Sequence, residues 1–217
     1  MKKSLLLIAV LVGTAITFAQ KKFTIIPSAG YAWRVVKTAE DMPKVQRDYV
    51  KGLKSGFNFD IGAYYRVNTL TGVGVKYNVF TASHSGDFMI IDEVNYENMI
   101  FTDFKTDDRI SFVGPGFFYH NFEEDVKHKL YYDMAIGVIS YVSKNELAEI
   151  KGSNLGLAAS IGYMYQVSPA VMIGPQVSFT GGVLKKYKIN GTEFKLQEGQ
   201  YEGLHRVAAS LGATFRF

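Results

Sequence analysis

Hydrophobic and polar residues alternate along most of this chain, and the alternation is cleanest in the last stretch, Leu204 to Phe217. From Val207 onward every second residue is apolar, up to Phe215 and Phe217, and the residues between them are small or polar and include Arg216. A period of two is typical of a β-strand with two unlike faces. The stretch therefore predicts a terminal strand whose uncharged apolar face ends in an aromatic residue.

The same pattern predicts seven further strands. They are 23–36, 56–66, 73–79, 109–120, 129–142, 153–167 and 171–184. The two faces of 109–120 are almost equally apolar, so the sequence does not orient this strand, and Pro115 indicates a bulge or a lost ladder hydrogen bond. About eight strands of roughly ten residues match the strands that cross a membrane at a tilt.

The connections between these strands alternate between long and short. The long ones are 37–55, 83–108, 143–152 and 185–203, and the short ones are 67–71, 121–128 and 168–170. Short periplasmic turns and long extracellular loops are typical of outer-membrane barrels. If both termini lie on the short-turn side, the number of strands must be even. Part of 87–104 also alternates, which indicates a hairpin above the membrane or, as an alternative, a ten-stranded barrel.

The apolar faces decide which side of each strand meets lipid. In the strands that can be oriented, these faces carry no Lys, Arg, Asp or Glu. A Lys or Arg on the lipid-facing side costs ~2–4 kcal/mol at mid-bilayer. Aromatic residues near the strand ends suit the interfacial girdles: Trp33, Tyr65, Tyr132, Tyr165 and Phe215. We therefore predict an all-β fold, a single antiparallel up-and-down transmembrane β-barrel of eight strands, rather than a soluble sandwich or lipocalin-like barrel.

The opposite faces predict a polar lumen. Its charged members are Asp60, Arg66, Lys76, Asp133 and Arg216. A tight turn at Asn68-Thr69 makes two strands antiparallel neighbours and brings Lys76 opposite Asp60 or one diagonal step away. Buried charges are costly unless they are paired. The five residues are therefore expected to form one lumenal polar network.

The first 19 residues predict a cleaved secretory signal. Lys2 and Lys3 precede an apolar run, and Thr17-Phe18-Ala19 ends it with small residues suited to cleavage. The run is shorter than the ~20 residues of a membrane-spanning helix. The predicted organisation is a signal peptide at 1–19 and a barrel domain at 20–217 in an exported protein.

Composition and charge limit the kinds of site and partner that the protein can have. The chain has no cysteine, which excludes disulfides, thiolate metal sites and thiol catalysis. The formal charge of +4 falls to +2 when Lys2 and Lys3 are removed. That value is too small to indicate a nucleic-acid partner, and no basic cluster is visible in the sequence. We expect no cofactor and no metal.

Histidines and loop carboxylates are the remaining candidates for chemistry. His84 and Ser85 with Asp87 lie on the long-loop side, beyond a strand that ends near Ala82, where a nucleophile and a base are permitted. Adjacent side chains on an extended strand point to opposite faces, however, and a turn explains the same residues. His120 and His128 flank a short turn and are expected to be solvated. The loop carboxylates lack the regular spacing of a calcium loop: Asp92, Glu93, Glu97 and Asp103.

Several short pieces of the chain carry a family resemblance. They are Ala19-Gln20, Gly114-Pro115-Gly116, Val167-Ser168-Pro169-Ala170 and Phe215-Arg216-Phe217. With them, the mature chain resembles the small outer-membrane β-barrel proteins of Gram-negative bacteria, particularly the roughly 200-residue family of Bacteroidota. The resemblance implies outer-membrane lipid as the surroundings and recognition of the last strand, through Phe215 and Phe217, by the barrel-assembly machinery.

The resemblance implies a location and no single activity. As a channel the barrel needs an open lumen, but about eight strands leave an interior that side chains fill. We expect a non-enzymatic outer-membrane barrel with an envelope-structural or surface-binding role, whose loops meet a surface ligand. The alternatives are a hydrolase or acyltransferase that modifies outer-leaflet lipid, and a narrow, porin-like solute channel.

Overall fold

The computed structural model describes residues 22–36, 43–92, 97–123, 125–197 and 200–217. Side chains are described for these residues outside 89–102. The predicted signal peptide at 1–19 lies outside the described residues. No helix in the described ranges is long and apolar enough to cross a membrane.

The described chain consists of β-strands and one short helix. The elements are β1 (Phe23–Arg34), α1 (Lys44–Gly52), β2 (Ser55–Arg66), β3 (Thr71–Asp92), β4 (Glu97–His120), β5 (His128–Asn145), β6 (Glu149–Gln166), β7 (Val171–Leu184), β8 (Lys186–Ile189), β9 (Thr192–Lys195), β10 (Glu202–Gly203) and β11 (Arg206–Arg216). The period-two sequence pattern accounts for all eight long strands.

Antiparallel pairing closes these strands into a ring. Neighbours pair in chain order from β1 to β7, and β11 pairs with both β7 and β1. The β1–β11 ladder runs from Thr24↔Arg216 to Arg34↔Arg206. The barrel therefore has eight strands and no open edge along its wall, and the predicted fold class is confirmed. The ten-stranded alternative is wrong.

The long connections contain regular structure, of which the sequence predicted only the hairpin within 87–104. β3 continues past Ala82 to Asp92 and pairs with β4 back to Glu97, apart from a register shift between Gly86 and Phe88. Most of the expected 83–108 loop is thus a hairpin above the barrel wall, and the hairpin that the alternation within 87–104 predicted is confirmed. Helix α1 lies in the first long loop, and β8 and β9 form a hairpin in the last one. Pairing satisfies backbone groups that an irregular loop would leave to water.

The structure also orients β4. Ile110, Phe112 and Phe118 are buried in the lumen, whereas Val113 and Phe117 are exposed on the outer wall. The β4–β5 register is the same on both sides of Pro115, but the ladder lacks pairs at Gly114 and Pro115. Pro115 therefore costs ladder contacts without adding a bulge.

The outer wall is an apolar band with aromatic residues near its two ends. At the short-turn end, Tyr119 stacks on Tyr132 with ring centroids 4.9 Å apart. Tyr31 and Trp33 pack edge to face at 5.4 Å near the long-loop end. Large exposed apolar residues fill the wall between: Val73, Val75, Val113, Phe117, Met134, Ile136, Val138, Leu155, Leu157, Ile161, Ile173, Val177 and Leu211. This surface is that of a barrel wall in contact with lipid.

Candidate functional site

The centre of the lumen holds a buried ionic cluster around Lys76. Its Nζ lies 3.0 Å from Asp60 Oδ1 and 2.7 Å from Asp133 Oδ1. The same Nζ donates a hydrogen bond to Ser160 Oγ at 2.6 Å. β3 supplies Lys76, and β2 and β5 supply the two carboxylates. Gly62 is the cross-strand partner of Lys76, so Asp60 is one diagonal step away.

Hydrogen bonds extend this cluster across the lumen. Asn78 Nδ2 donates to Asp60 Oδ2 at 3.2 Å, and Arg206 Nη2 donates to Asn78 Oδ1. On the other side, Gln176 Nε2 donates to Ser160 Oγ at 3.4 Å and Tyr131 OH donates to Gln176 Oε1 at 2.5 Å. The middle of the barrel is therefore one connected polar layer.

Two apolar layers lie above and below the polar layer. The upper one, toward the long loops, consists of Ala32, Phe80, Ala82, Ile110, Phe112, Ala135, Ile139, Ala158, Leu184, Leu204 and Ala208. The lower one consists of Ile26, Tyr64, Phe118, Phe122, Tyr131, Met164 and Met172. Tyr64 and Phe118 stack with ring centroids 4.7 Å apart. Side chains thus fill the lumen over its height, as eight strands allow.

Arg66 and Arg216 do not join Lys76. Both contact Glu123, in the turn between β4 and β5: Arg66 Nη1 lies 2.5 Å from Glu123 Oε1, and Arg216 Nη2 binds the same oxygen. Arg216 Nη1 also donates to the Phe122 carbonyl at 3.3 Å. The expected single network of five residues is therefore two clusters. The lower apolar layer separates them, because both arginines lie at the short-turn ends of their strands.

A third ionic cluster lies at the long-loop end of the lumen. Arg34 Nη1 is 3.3 Å from Asp108 Oδ2, and Arg34 Nη2 is 2.7 Å from Glu202 Oε1. Tyr141 OH donates to the Asp108 carboxylate at 3.2 Å. This cluster ties β1, β4, β5 and the short strand β10 together above the upper apolar layer.

Helix α1 packs on the lumenal face of the β3–β4 hairpin through Tyr49. The Tyr49 ring contacts His84 and Phe104 at centroid distances of 5.1 and 6.0 Å. Its hydroxyl donates to the Phe104 carbonyl at 3.0 Å, and Thr106 Oγ1 lies 2.8 Å away. Burial raises the pKa of the Tyr49 hydroxyl above its ordinary value. Lys54 lies just after the helix. Burial lowers the pKa of its amine, because burial disfavours the charged form, and neighbouring Arg34 lowers this pKa further. The described part of the first long loop, residues 43–55, is therefore packed against the barrel.

The histidine predictions are corrected in part. His84 lies within β3, whose strand does not end near Ala82, and its half-buried side chain faces Tyr49 while Ser85 and Asp87 are exposed on the other face. His120 is buried, not solvated, because its ring packs against Phe118 at 4.8 Å. His128 is exposed and its Nδ1 lies 2.5 Å from Tyr163 OH. Among the residues that the structure describes, no group of three His, Asp or Glu side chains is placed to hold a metal ion.

Sequence reasoning missed four charged members of these clusters. Arg34 and Arg206 lie at alternate positions that face the lumen in their strands. The period-two pattern could therefore have identified both. Asp108 lay in a segment read as a loop, where no parity was assigned. Glu123 is in a turn, and no periodicity places a turn residue against strand ends.

The C-terminal strand is integrated into the barrel at its last residues. Phe217 N donates to the Phe23 carbonyl at 2.9 Å, and Phe23 N donates to the Phe217 carbonyl at 3.1 Å. Phe215 is paired with Ile25 and faces outward. Recognition of Phe215 and Phe217 by the barrel-assembly machinery stays a prediction.

A closed eight-stranded barrel with a filled lumen and an apolar outer wall defines the class of small transmembrane β-barrels. The fold is similar to that of Neisserial surface protein A, with a TM-score of 0.52 and 16% identity over 90% of this chain and 97% of that one. OprG of Pseudomonas aeruginosa gives 0.48 and 11% over 89% and 95%. A major outer membrane protein of Thermus thermophilus gives 0.48 and 14% over 90% and 98%.

At sequence identities this low, the similarity to these structures shows a shared fold only. No protein-family model matches the sequence, and no curated protein matches it at a significant level.

Proposed function

We propose that this chain is an outer-membrane barrel, exported through a cleaved signal, with a non-enzymatic envelope-structural or surface-binding role. Its long-loop end faces the exterior and its short turns face the periplasm. The observation that carries the proposal is the filled lumen, which leaves the outer wall and the long-loop end of the barrel as the surfaces available for binding.

The packing of the lumen argues against a solute channel. A solute that crosses the barrel must displace the upper apolar layer, the buried Lys76 cluster and the lower aromatic layer in turn. Lys76, Asp60 and Asp133 are each almost completely buried, so the middle layer is held by ion pairs as well as by packing.

The long-loop end offers a structured surface for binding. The β3–β4 hairpin, α1 and the β8–β9 hairpin project from the same end of the barrel, and α1 is fixed to the first of these through Tyr49. Binding residues are often found on loops that a rigid scaffold positions. The separation of His84 from Ser85 and Asp87 gives the lipid-modifying hydrolase or acyltransferase no support, so we advance no second function.

The absence of cysteine allows a clean test of sidedness. Thr192→Cys places a thiol in the β8–β9 hairpin, and Val126→Cys places one in the short turn before β5; both sites are exposed. In intact cells a membrane-impermeant maleimide should label Thr192→Cys only, and both variants should be labelled after the envelope is permeabilised. Labelling of Val126→Cys alone in intact cells would contradict the proposed orientation.

Two measurements on the purified protein test the closed barrel and the filled lumen. Unheated and boiled samples should migrate differently in detergent gels, because a closed barrel has no unpaired wall edge from which to unfold. In planar bilayers the protein should give no stepwise conductance. Regular conductance steps would overturn the non-channel role and restore the channel alternative.

A further inference from the structure

The β8–β9 hairpin extends the barrel wall sideways at the long-loop end. β8 pairs with β6 through Ile150↔Ile189 and Lys151↔Lys188, and β9 pairs with β8. Because cross-strand partners point to the same side of a sheet, the outward direction of Lys151 on β6 is shared by Lys188. The hairpin therefore adds its own side chains to the outer surface just beside β6.

This pairing brings like charges together. Lys151 is directly opposite Lys188, and Lys186 is directly opposite Lys195. Like charges in direct cross-strand positions are destabilising, and all four lysines are exposed on one face. We call this set of four residues the lysine patch. The sequence shows only the neighbouring Lys186 and Lys188, since the topology joins Lys151 of β6 to a hairpin more than 30 positions further along the chain.

Carboxylates compensate only part of the lysine patch. Glu149 Oε2 lies 2.7 Å from Lys151 Nζ, and Glu193 Oε2 lies 3.4 Å from Lys186 Nζ. Glu193 is also the cross-strand partner of Lys188, but its carboxylate is paired with Lys186. Within the described part of the chain, no carboxylate lies within ion-pair distance of Lys188 or Lys195. The patch therefore retains positive charge that an external anion would stabilise.

The level of the patch on the wall indicates which anion it meets. The outer face of β6 is apolar and exposed from Leu155 to Tyr165. Ten residues along a tilted strand cover about 25 Å of height, which is the thickness of the lipid-facing band of such barrels. Going up from Leu155, the next outward residue is Ser153, paired with Ser140, and the next is Lys151. Toward the long-loop end, the outward side chains of β6 thus change from apolar at Leu155 to a hydroxyl at Ser153 and a cation at Lys151.

A groove accompanies this change in chemistry. It has a volume of about 460 Å³, and its polar lining consists of Ser140, Ser153, Lys151, Lys186, Lys188, Tyr141, Tyr187 and one carboxylate, that of Glu193. The three lysines outnumber that carboxylate. Hydroxyl donors and ammonium groups together are the partners that a phosphate ester takes. A volume of this size is within the range of small-ligand sites.

We propose that the lysine patch and its groove bind the phosphate groups of lipids in the leaflet that surrounds the long-loop end of the barrel. This inference rests on the proposed membrane location and orientation. The apolar band fixes the height of the barrel in the bilayer, and the patch then lies at the level of the lipid headgroups. Lipid phosphate neutralises Lys188 and Lys195, which form no ion pair with a carboxylate in the described residues.

The test compares phosphorylated and dephosphorylated lipid A on the purified full-length barrel in a neutral detergent. Native mass spectrometry measures the affinity for each lipid. The K188Q/K195Q variant should bind phosphorylated lipid A about 30-fold more weakly, because each cation near an anionic lipid surface contributes a factor of about five. The control K22Q/K127Q removes the same charge from exposed lysines at the short-turn end and should bind as the parent protein does.

Three results would overturn the proposal: equal affinity of the parent for the two lipids, equal losses in both double variants, or full displacement of the lipid by millimolar inorganic phosphate, which would indicate a site for the free ion. The outcome is separable from the proposed location. Wrong sidedness of Thr192→Cys labelling contradicts the location, whereas correct sidedness with no preference for phosphorylated lipid contradicts the patch alone.

Discussion

The Lys76 cluster and the Glu123 cluster have the same arrangement of ion pairs, but the charges of their members are opposite. In each, one charged group lies between two groups of the opposite charge. The side chains of Lys76, Asp60 and Asp133 are 1–2% exposed. Those of Glu123 and Arg66 are 33% and 23% exposed, and only Arg216, at 3%, is comparably buried. The two clusters therefore differ in access to water and not in the number of ion pairs.

The difference in exposure determines what the loss of the central charge costs. Removing one member of a buried ion pair leaves a charge that water cannot solvate, and such losses are large. At an exposed pair, water replaces the missing partner and the contribution is small. The number of ion pairs thus says little about stability until the burial of each charge is known.

The largest effect is expected from Lys76→Met. The substitution leaves Asp60 and Asp133 buried, close to one another and without their cation. We expect the free energy of unfolding to fall by about 3–5 kcal/mol, measured by urea titration of the barrel refolded in detergent. The triple variant K76M/D60N/D133N removes all three charges and should recover much of the loss. A K76M barrel as stable as the parent would contradict the description of this cluster as a buried ion pair.

The second prediction concerns the aromatic layer between the two clusters. A Cβ at Gly162 would lie 2.2 Å from Cε1 of Tyr131. The Tyr131 ring therefore occupies the space that a side chain at position 162 would fill. Gly162→Ala should destabilise the barrel by about 1–3 kcal/mol through overpacking, measured by the same urea titration. In a Tyr131→Ala background the added methyl group should cost little, because the ring it meets is gone. Equal costs in both backgrounds would show that the ring is not the cause.

The third prediction concerns Glu123→Gln. The substitution removes the carboxylate from both arginines, but only Arg216 is buried, and it keeps the Phe122 carbonyl and the Phe122 ring as partners. We expect a loss of about 1 kcal/mol, near the upper limit for exposed pairs. The matched measurement is the unfolding free energy of E123Q beside that of K76M under identical conditions. A loss as large as that of K76M would refute the view that burial separates the two clusters.

The same comparison shows how far the sequence could predict this molecule. Alternation with a period of two predicted eight barrel strands, because a barrel wall with lipid on one side and a polar lumen on the other imposes that period on every strand. It also placed Asp60, Lys76 and Asp133 on one face, and the structure brings these three together. It could not separate Arg66 and Arg216 from them, since parity gives the face of a residue but not its height along the barrel axis.

Other features depend on long-range pairing that no local pattern encodes. Helix α1 is short and Tyr49 is its only buried residue, so its helical form depends on packing against the β3–β4 hairpin. The opposition of Lys151 and Lys188 follows from the docking of β8 on β6 and is invisible before the barrel is assembled. Glu123 reaches two arginines because the turn that carries it lies beneath the ends of β2 and β11.

The smallest predicted effect is the response of the two clusters to salt. Raising the ionic strength from about 0.1 M to about 1 M shortens the Debye length from about 10 Å to about 3 Å. Ions reach Glu123 and Arg66, which are partly exposed, but not Lys76, which is sealed between two apolar layers. The cost of Glu123→Gln should therefore shrink by a few tenths of a kcal/mol in high salt, within the range of exposed pairs, whereas the cost of Lys76→Met should not change. Comparing each variant with the parent at both salt concentrations removes the general effect of salt on the barrel. If the cost of Lys76→Met falls with salt as well, water and ions reach the middle of the lumen, and the proposed non-channel role of the barrel fails.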